Sequence, residues 1–497
     1  MKMYEKEVLL LVASTALFLN ACQSGRMDTN APSRSELDNP DTVFEGPVPR
    51  ADCGPGSMPE TDIQGRVSLE DRTSGRSQQG YSCNLELVGQ HQGRGASWQH
   101  AWHEDCAYYG TSFPGQAGVQ VIDVSDPTNP RHAGALRSPA MLDPWESLKV
   151  HEKRGLLSGG AGWNGSGPLF FDIYDLNGDC AQPNLLSSTP TAFPAGHEGD
   201  WAPDGKTYYV GGTTQSAIDV SDPNNPQLIA QVEAIGSLHG LSLNADGSRM
   251  YAVNMYACSA EALNGLVIYD TTAVQNRELN PAMPVIGSVC WADGSTAQHT
   301  ILVHYDGKPY VVFVDEGGGD GTGLGSIDPV APAGSARIID ISDETQPRVV
   351  SKIKLEIHMP EHADIQASDV QGNGIFGYQA HYCSVDRQDN PTALACGFFQ
   401  SGIRVFDIRD PLRPAEIAYY NPPAQVGRNA ELSSSEHANG TAARSNGDGP
   451  AGVENNLTAD WCTAQVRLIP ERGELWTTCQ DNGFMVLRFT NGVWPLN

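Results

Sequence analysis

The sequence predicts an all-β protein, a seven-bladed β-propeller of four-stranded blades. Three observations carry that expectation. An alternating strand followed by Asp, a polar turn and Pro recurs along the chain, and a hairpin with a glycine turn lies upstream of the copies. The C-terminus is one strand short, while a spare strand lies near the N-terminus.

The clearest copies are GVQVIDVSDPTNP (118–130), SAIDVSDPNNP (216–226), SARIIDISDETQP (335–347) and GIRVFDIRDPLRP (402–414). Less regular ones are GPLFFDIYDLNGDCAQP (167–183), GLVIYDTTAV (265–274) and GFMVLRFTN (483–491), where Arg488 stands in place of the Asp. The Asp is a structural residue here: its carboxylate can bond local backbone N–H groups, and the Pro starts the next strand. The hairpins are APDGKTYYVGG, NADGSRMYAVN, HYDGKPYVVFV, VQGNGIFGYQ and IPERGELWTTC, with turns of the D-G or N-G kind. Each unit is thus four strands, and there are seven units. GVWPLN at the C-terminus is too short for the outer strand of the seventh. CNLELVGQHQ (83–92) resembles the outer strands PQLIAQVEA and PRVVSKIKL. It is expected to pair with the strand at 483–489 and close the ring, which removes a free sheet edge.

The stretch VIDVSDPTNP (121–130) closely resembles the LVIVD-repeat proteins, and the resemblance extends over roughly 83–490. It implies a propeller in an extracytoplasmic bacterial protein. It implies no reaction, because that family is defined by its repeat and propellers host many functions.

The first residues read as an export signal. Lys2 and Lys6 precede an apolar run from Val8 to Leu19 that is too short to span a bilayer comfortably. LNAC (Leu19 to Cys22) resembles the lipobox of bacterial lipoproteins, in which the Cys is lipidated and becomes the mature N-terminus. Gln23, rather than Asp, after that Cys points to the outer membrane, on the periplasmic or the surface side. The expected organisation is a signal peptide over 1–22, a flexible tether over 23–50 and one propeller domain over 51–497, with an insertion at about 421–460. A net charge of −28 argues against nucleic acid as a partner.

Eleven cysteines less Cys22 leave an even number, which in an exported chain predicts disulfides. The blade arrangement places Cys383 at the end of the second strand of blade six and Cys396 before the third, so they share a rim. It brackets the hairpin of blade seven with Cys462 and Cys479. It also puts Cys258 and Cys290 on one rim of blade four and Cys106 with Cys180 on neighbouring blades, and leaves Cys53 for Cys83.

Chemistry is sought where the inner strands begin, because these line the axis and start at one mouth of the channel. His197, His239 and His299 each precede their turn glycine, Gly205, Gly247 and Gly307, by the same eight residues. The same register position holds Gln366 in blade six, Gln465 in blade seven and Ser147, beside Glu146, in blade two. Three histidines converging on one spot suit one divalent transition metal with an open position. His362 is the candidate fourth ligand, and Glu198 and Glu361 are candidate base or orienting carboxylates. His100 and His437 fall near the same mouth. The same register also fits a structural role, since His239, Leu241 and Leu243 share one strand face, as do His299, Ile301 and Val303. The acidic glycine-rich stretch 315–325 lacks EF-hand spacing and reads as a loop. No GxSxG, Walker, Rossmann or HExxH motif is present.

Two functions remain in view. One is a lipid-anchored envelope propeller that binds a small molecule, glycan or protein on its face. The other is a metal-dependent oxidoreductase or lyase working at the axial mouth.

Overall fold

The computed structural model describes residues 43, 46–111, 117–160, 169–191, 197–211, 214–233, 239–255, 258, 264–317, 334–369, 376–425, 432–439 and 459–496. The signal peptide, Cys22, most of the tether, much of the insertion and most of the acidic glycine-rich stretch lie outside them.

Within them the chain forms seven antiparallel sheets in a ring, a seven-bladed β-propeller. The inner strands are His100–His103, Lys149–His151, Gly199–Trp201, Leu241–Leu243, Ser295–Tyr305, Cys383–Val385 and Arg467–Ile469. Gly205, Gly247 and Gly307 hold φ of 65°, 72° and 77° in the tight turns that follow three of them, a region that favours glycine. The repeated Asp does what its position predicts. In six blades the carboxylate, that of Asp123, Asp175, Asp219, Asp270, Asp340 or Asp407, accepts the backbone N–H two residues on at 2.8–3.0 Å. The two outer strands of every blade also carry a register shift of bulge type, which adds the twist a propeller blade needs.

The apolar core lies between blades. Val303, Val312 and Ile338 of blade five pack with Leu394 and Phe406 of blade six, and Tyr209 and Ala217 of blade three with Met250 and Val267 of blade four. Each Val, Leu, Ile, Phe or Met among them, when fully buried, contributes about 1.5–3 kcal/mol, so the ring is held by its blade interfaces.

The ring closes as expected: Leu85–His91 pairs antiparallel with Gly483–Phe489. The N-terminal segment does more than that. Tyr81–Cys83 adds a fifth strand to blade six by pairing with Ala415–Asn421. Asn84 marks the step to blade seven at φ 56°, and its side chain bonds Asp52, Gly54, Ile417 and Asn491. Residues 46–50, expected within the tether, lie on the propeller instead. The Val48 N–H donates to Lys354 O, and the Val48 side chain is buried in the core of blades five and six.

All five expected disulfides are present, Cys53–Cys83, Cys106–Cys180, Cys258–Cys290, Cys383–Cys396 and Cys462–Cys479. They mark a chain that folds in an oxidising, extracytoplasmic compartment. One detail of blade six differs. Cys383 opens its first strand and Cys396 lies in its second, directly opposite. Of the expected hairpin 370–379, residues 370–375 lie outside the described residues and 376–379 precede the first strand of the blade, while Gln366 lies on the helix Ala363–Asp369 rather than on an inner strand. No helix among the described residues is long and apolar enough to cross a membrane.

Candidate metal centre at the propeller axis

The residues that lead into the inner strands meet at one mouth of the channel. Glu146 and Lys149 come from blade two, His197 and Glu198 from blade three, His239 from blade four, Gln298 and His299 from blade five, His381 and Tyr382 from blade six. Gly240 makes room for them. A Cβ there would sit 2.8 Å from Glu198 Oε2 and 2.5 Å from Gln298 O.

Two of the three aligned histidines come together around a carboxylate. His239 Nε2 lies 3.0 Å and His197 Nε2 3.4 Å from the same oxygen, Glu146 Oε2. One ligand atom from each of Glu146, His197 and His239 lies within 4.8 Å of the other two. Metal bonds of about 2.0–2.1 Å in a tetrahedral site put ligand atoms roughly 3.3–3.4 Å apart, so the three sit at separations that one small cation can span. His239 Nδ1, on the far side of the ring, faces Glu198 Oε2 at 3.1 Å and Gln298 O at 2.9 Å. An imidazole held this way by a carboxylate and a carbonyl keeps its other nitrogen aimed at a metal.

His299 takes the expected register but a different neighbour. Its Nδ1 is 3.4 Å from Glu198 Oε1, its Nε2 is 3.4 Å from Gln465 Nε2, and it is not part of the Glu146 group. Glu198 thus faces the Nδ1 atoms of both His239 and His299. It is fully buried, 2.8 Å from Lys149 Nζ, and accepts the Tyr382 hydroxyl at 2.5 Å. On its other side Glu146 meets His381 Nε2 at 3.0 Å, and that nitrogen is also 3.2 Å from Glu316. Acid and base thus alternate across the axis from Lys149 to Glu316.

The charges follow from this alternation. Burial pushes the Glu146 carboxyl up, but the imidazoles of His381, His197 and His239 outweigh it and hold the group well below the carboxylate range. For Glu198 burial is likewise outweighed, by Lys149 and then by His239 and His299. Burial opposes a charge on His239 and His381, yet their carboxylate neighbours raise both to about 10. In His299 burial prevails over Glu198 and lowers the imidazole.

Aromatic side chains cap this end. Trp98 contacts the rings of Trp145, Phe376, Phe399, Trp461 and His381 at 5.3–6.4 Å between centroids. Trp98 Nε1 donates to Glu436 Oε2 at 2.7 Å.

The remaining expected residues lie elsewhere. Glu361 is exposed, and His362 sits half-buried in the short turn Pro360–His362, where its electrostatic neighbour is Glu356, the partner of Arg50. Neither joins the axial group, because the helix Ala363–Asp369 intervenes before blade six begins. His100 bonds Gln465 O and packs on Trp102 and Phe484, a core histidine. His437 packs on Trp461 and pairs with Asp481, in a second buried group with Asp460. Glu146, Lys149, His381 and Tyr382 were missed as site residues. Glu146 had a signal, since it adjoins the register position that Ser147 fills.

Fold and repeat together define the class, a seven-bladed propeller carrying the LVIVD repeat. The LVIVD repeat family matches residues 115–136. No curated protein matches the chain. Among solved structures it is similar to a protein of Bacteroides uniformis provisionally named a 6-phosphogluconolactonase, at 14% identity and a TM-score of 0.49, over 79% of this chain and 94% of that one. It is also similar to Kuenenia stuttgartiensis hydrazine synthase, at 12% identity and a TM-score of 0.47, over 82% and 97%. In all, 1198 solved chains match in this way.

Proposed function

We propose that this protein is a metal-dependent enzyme whose axial mouth holds one divalent transition metal through Glu146, His197 and His239. The observation that carries the reading is two imidazole nitrogens directed at one carboxylate oxygen, 3.0 and 3.4 Å away. Two His and one carboxylate suit zinc or iron(II) and leave coordination positions open for water or substrate, as catalytic sites do. Glu198 and Gln298 O orient His239, and Glu198 in turn is held by Lys149 and Tyr382. A metal would polarise a bound oxygen or activate water there. The open positions favour catalysis over a propeller face that only binds a ligand.

The enzyme is exported and anchored by a lipid on Cys22, in the outer membrane. The lipobox-like LNAC supports this, and the disulfides fit the compartment. The test is metal content by elemental analysis of the purified, tag-free protein, with Glu146→Ala, His239→Ala and His299→Ala beside it. The reading expects about one equivalent in the wild type and in His299→Ala, and a near-complete loss in the other two. Wild-type protein that takes up no zinc or iron(II) would end it.

A further inference from the structure

Resting on that metal reading, we infer that the axial mouth takes an aromatic compound bearing a cationic amine, its ring stacked on Trp145 and its charge set against Asp143 and Glu436. The three candidate ligands differ in access. The His197 side chain is 30% exposed, Glu146 and His239 only 4% and 5%. A molecule that reaches the open metal position therefore comes over His197.

Trp145 stands beside that approach. Its ring is edge-on to His197 at 6.2 Å between centroids, and it is half-buried, whereas Trp98 behind it is buried. Its backbone is left-handed, φ 49°, a region a bulky side chain rarely occupies and one that gathers at ligand sites. Since it directly precedes Glu146, the turn that delivers the metal carboxylate also presents the indole.

The charge of the ligand follows from two carboxyls, one on the turn that carries Trp145 and one bonded to the neighbouring Trp98. Asp143 accepts the backbone N–H of Trp145, while its buried Oδ1 has no hydrogen-bond partner. Glu436 accepts the Trp98 N–H and lies within the fields of Asp143 and Glu146. Among the described residues no cation is paired with either. Burial pushes Asp143 up to about 6, and burial followed by those negative neighbours pushes Glu436 up to about 7. An amine cation would pair with them, and the indole face adds cation–π attraction.

Three matched probes test this by calorimetry on the metal-loaded full chain. 2-Phenylethylamine has ring and cation, phenylacetate reverses the charge, and 2-cyclohexylethylamine lacks the π face. The expected result is binding of 2-phenylethylamine about tenfold or more tighter than either of the others, given the lost stacking or the reversed charge. Trp145→Ala should weaken it about three- to tenfold and Trp145→Phe much less, with metal content unchanged. Equal affinity for the three probes, or undiminished binding by Trp145→Ala, would overturn the inference. Metal content of the same samples separates the two readings. Wild type that binds the amine through Trp145 but holds no metal overturns the metal reading alone, and metal-loaded protein indifferent to the amine overturns this one alone.

Discussion

Replacing Glu198 by Gln keeps the side-chain shape and removes one charge from the centre of the axial network. Two separate losses follow. The Lys149 ammonium, only 7% exposed and 2.8 Å from Glu198, is left buried without its carboxylate, and breaking one side of a buried pair costs about 3–5 kcal/mol. His239 also loses the charged partner on Nδ1, 3.1 Å away. Loss of such an orienting group lowers metal affinity about 10–100-fold, or about 1.4–2.7 kcal/mol. The double variant Glu198→Gln/Lys149→Met tells them apart. With both charges gone, stability should return to near the wild-type value, because a well-packed apolar replacement of a buried pair is often neutral. Metal affinity should stay low, because His239 still lacks its charged partner and keeps only Gln298 O. Thermal unfolding of the apo proteins and chelator competition for zinc measure the two quantities. If the double variant regains metal affinity together with stability, Glu198 acts only through the fold, and its role in orienting His239 is refuted.

Further outcomes are expected elsewhere in the molecule. His358 is fully buried, its Nε2 at 2.7 Å from Tyr378 O while Nδ1 accepts the Leu355 N–H, and burial lowers it to about 3. It stays neutral in the folded chain while the unfolded chain protonates near pH 6.5, so stability present above that pH is lost as pH falls toward 3. The loss is on the order of 2 kcal/mol by pH 5. His358→Gln should flatten the pH dependence of the melting temperature between pH 6.5 and 4, and an unchanged slope would contradict the assignment. The Cys106–Cys180 disulfide closes a separation of 74 residues and Cys383–Cys396 one of 13. Loop entropy then assigns them about 4.4 and about 2.9 kcal/mol. The Cys106→Ser/Cys180→Ser variant should therefore melt lower than Cys383→Ser/Cys396→Ser; the reverse order would argue against the entropic account. Cys22→Ser should move the protein from the membrane fraction to the soluble one, and unaltered fractionation would dispose of the lipid anchor.

The fold was legible because a blade is a local object. The Asp turn, the glycine turn and the alternation between them all lie within one repeat, and the closing strand could be read from the missing outer strand of blade seven. The register of His197 and His239 was legible for the same reason, since the inner strand and its turn keep a constant length. What lay beyond reach depends on contacts distant in sequence. Blade six begins late because Arg66 and Arg72 of the N-terminal segment hold Asp369 at the end of the helix Ala363–Asp369. That helix displaces Gln366 and His362 from the axis and hands the position to His381. His299 keeps its register, but its nitrogens face Glu198 and Gln465, each at 3.4 Å, rather than Glu146. Glu146 hid one residue before the aligned position, on a turn whose left-handed Trp145 the local sequence does not announce.

The proposed function requires one metal ion shared by Glu146, His197 and His239. Crystals of the metal-loaded protein measured at the absorption edge of that metal test it most directly. One anomalous peak is expected at the axial mouth, about 2.0–2.2 Å from Glu146 and from both imidazole nitrogens, with His299 still turned to Glu198. A peak held by His299 without Glu146, or no peak at the axis in protein soaked with zinc or iron(II), would contradict it.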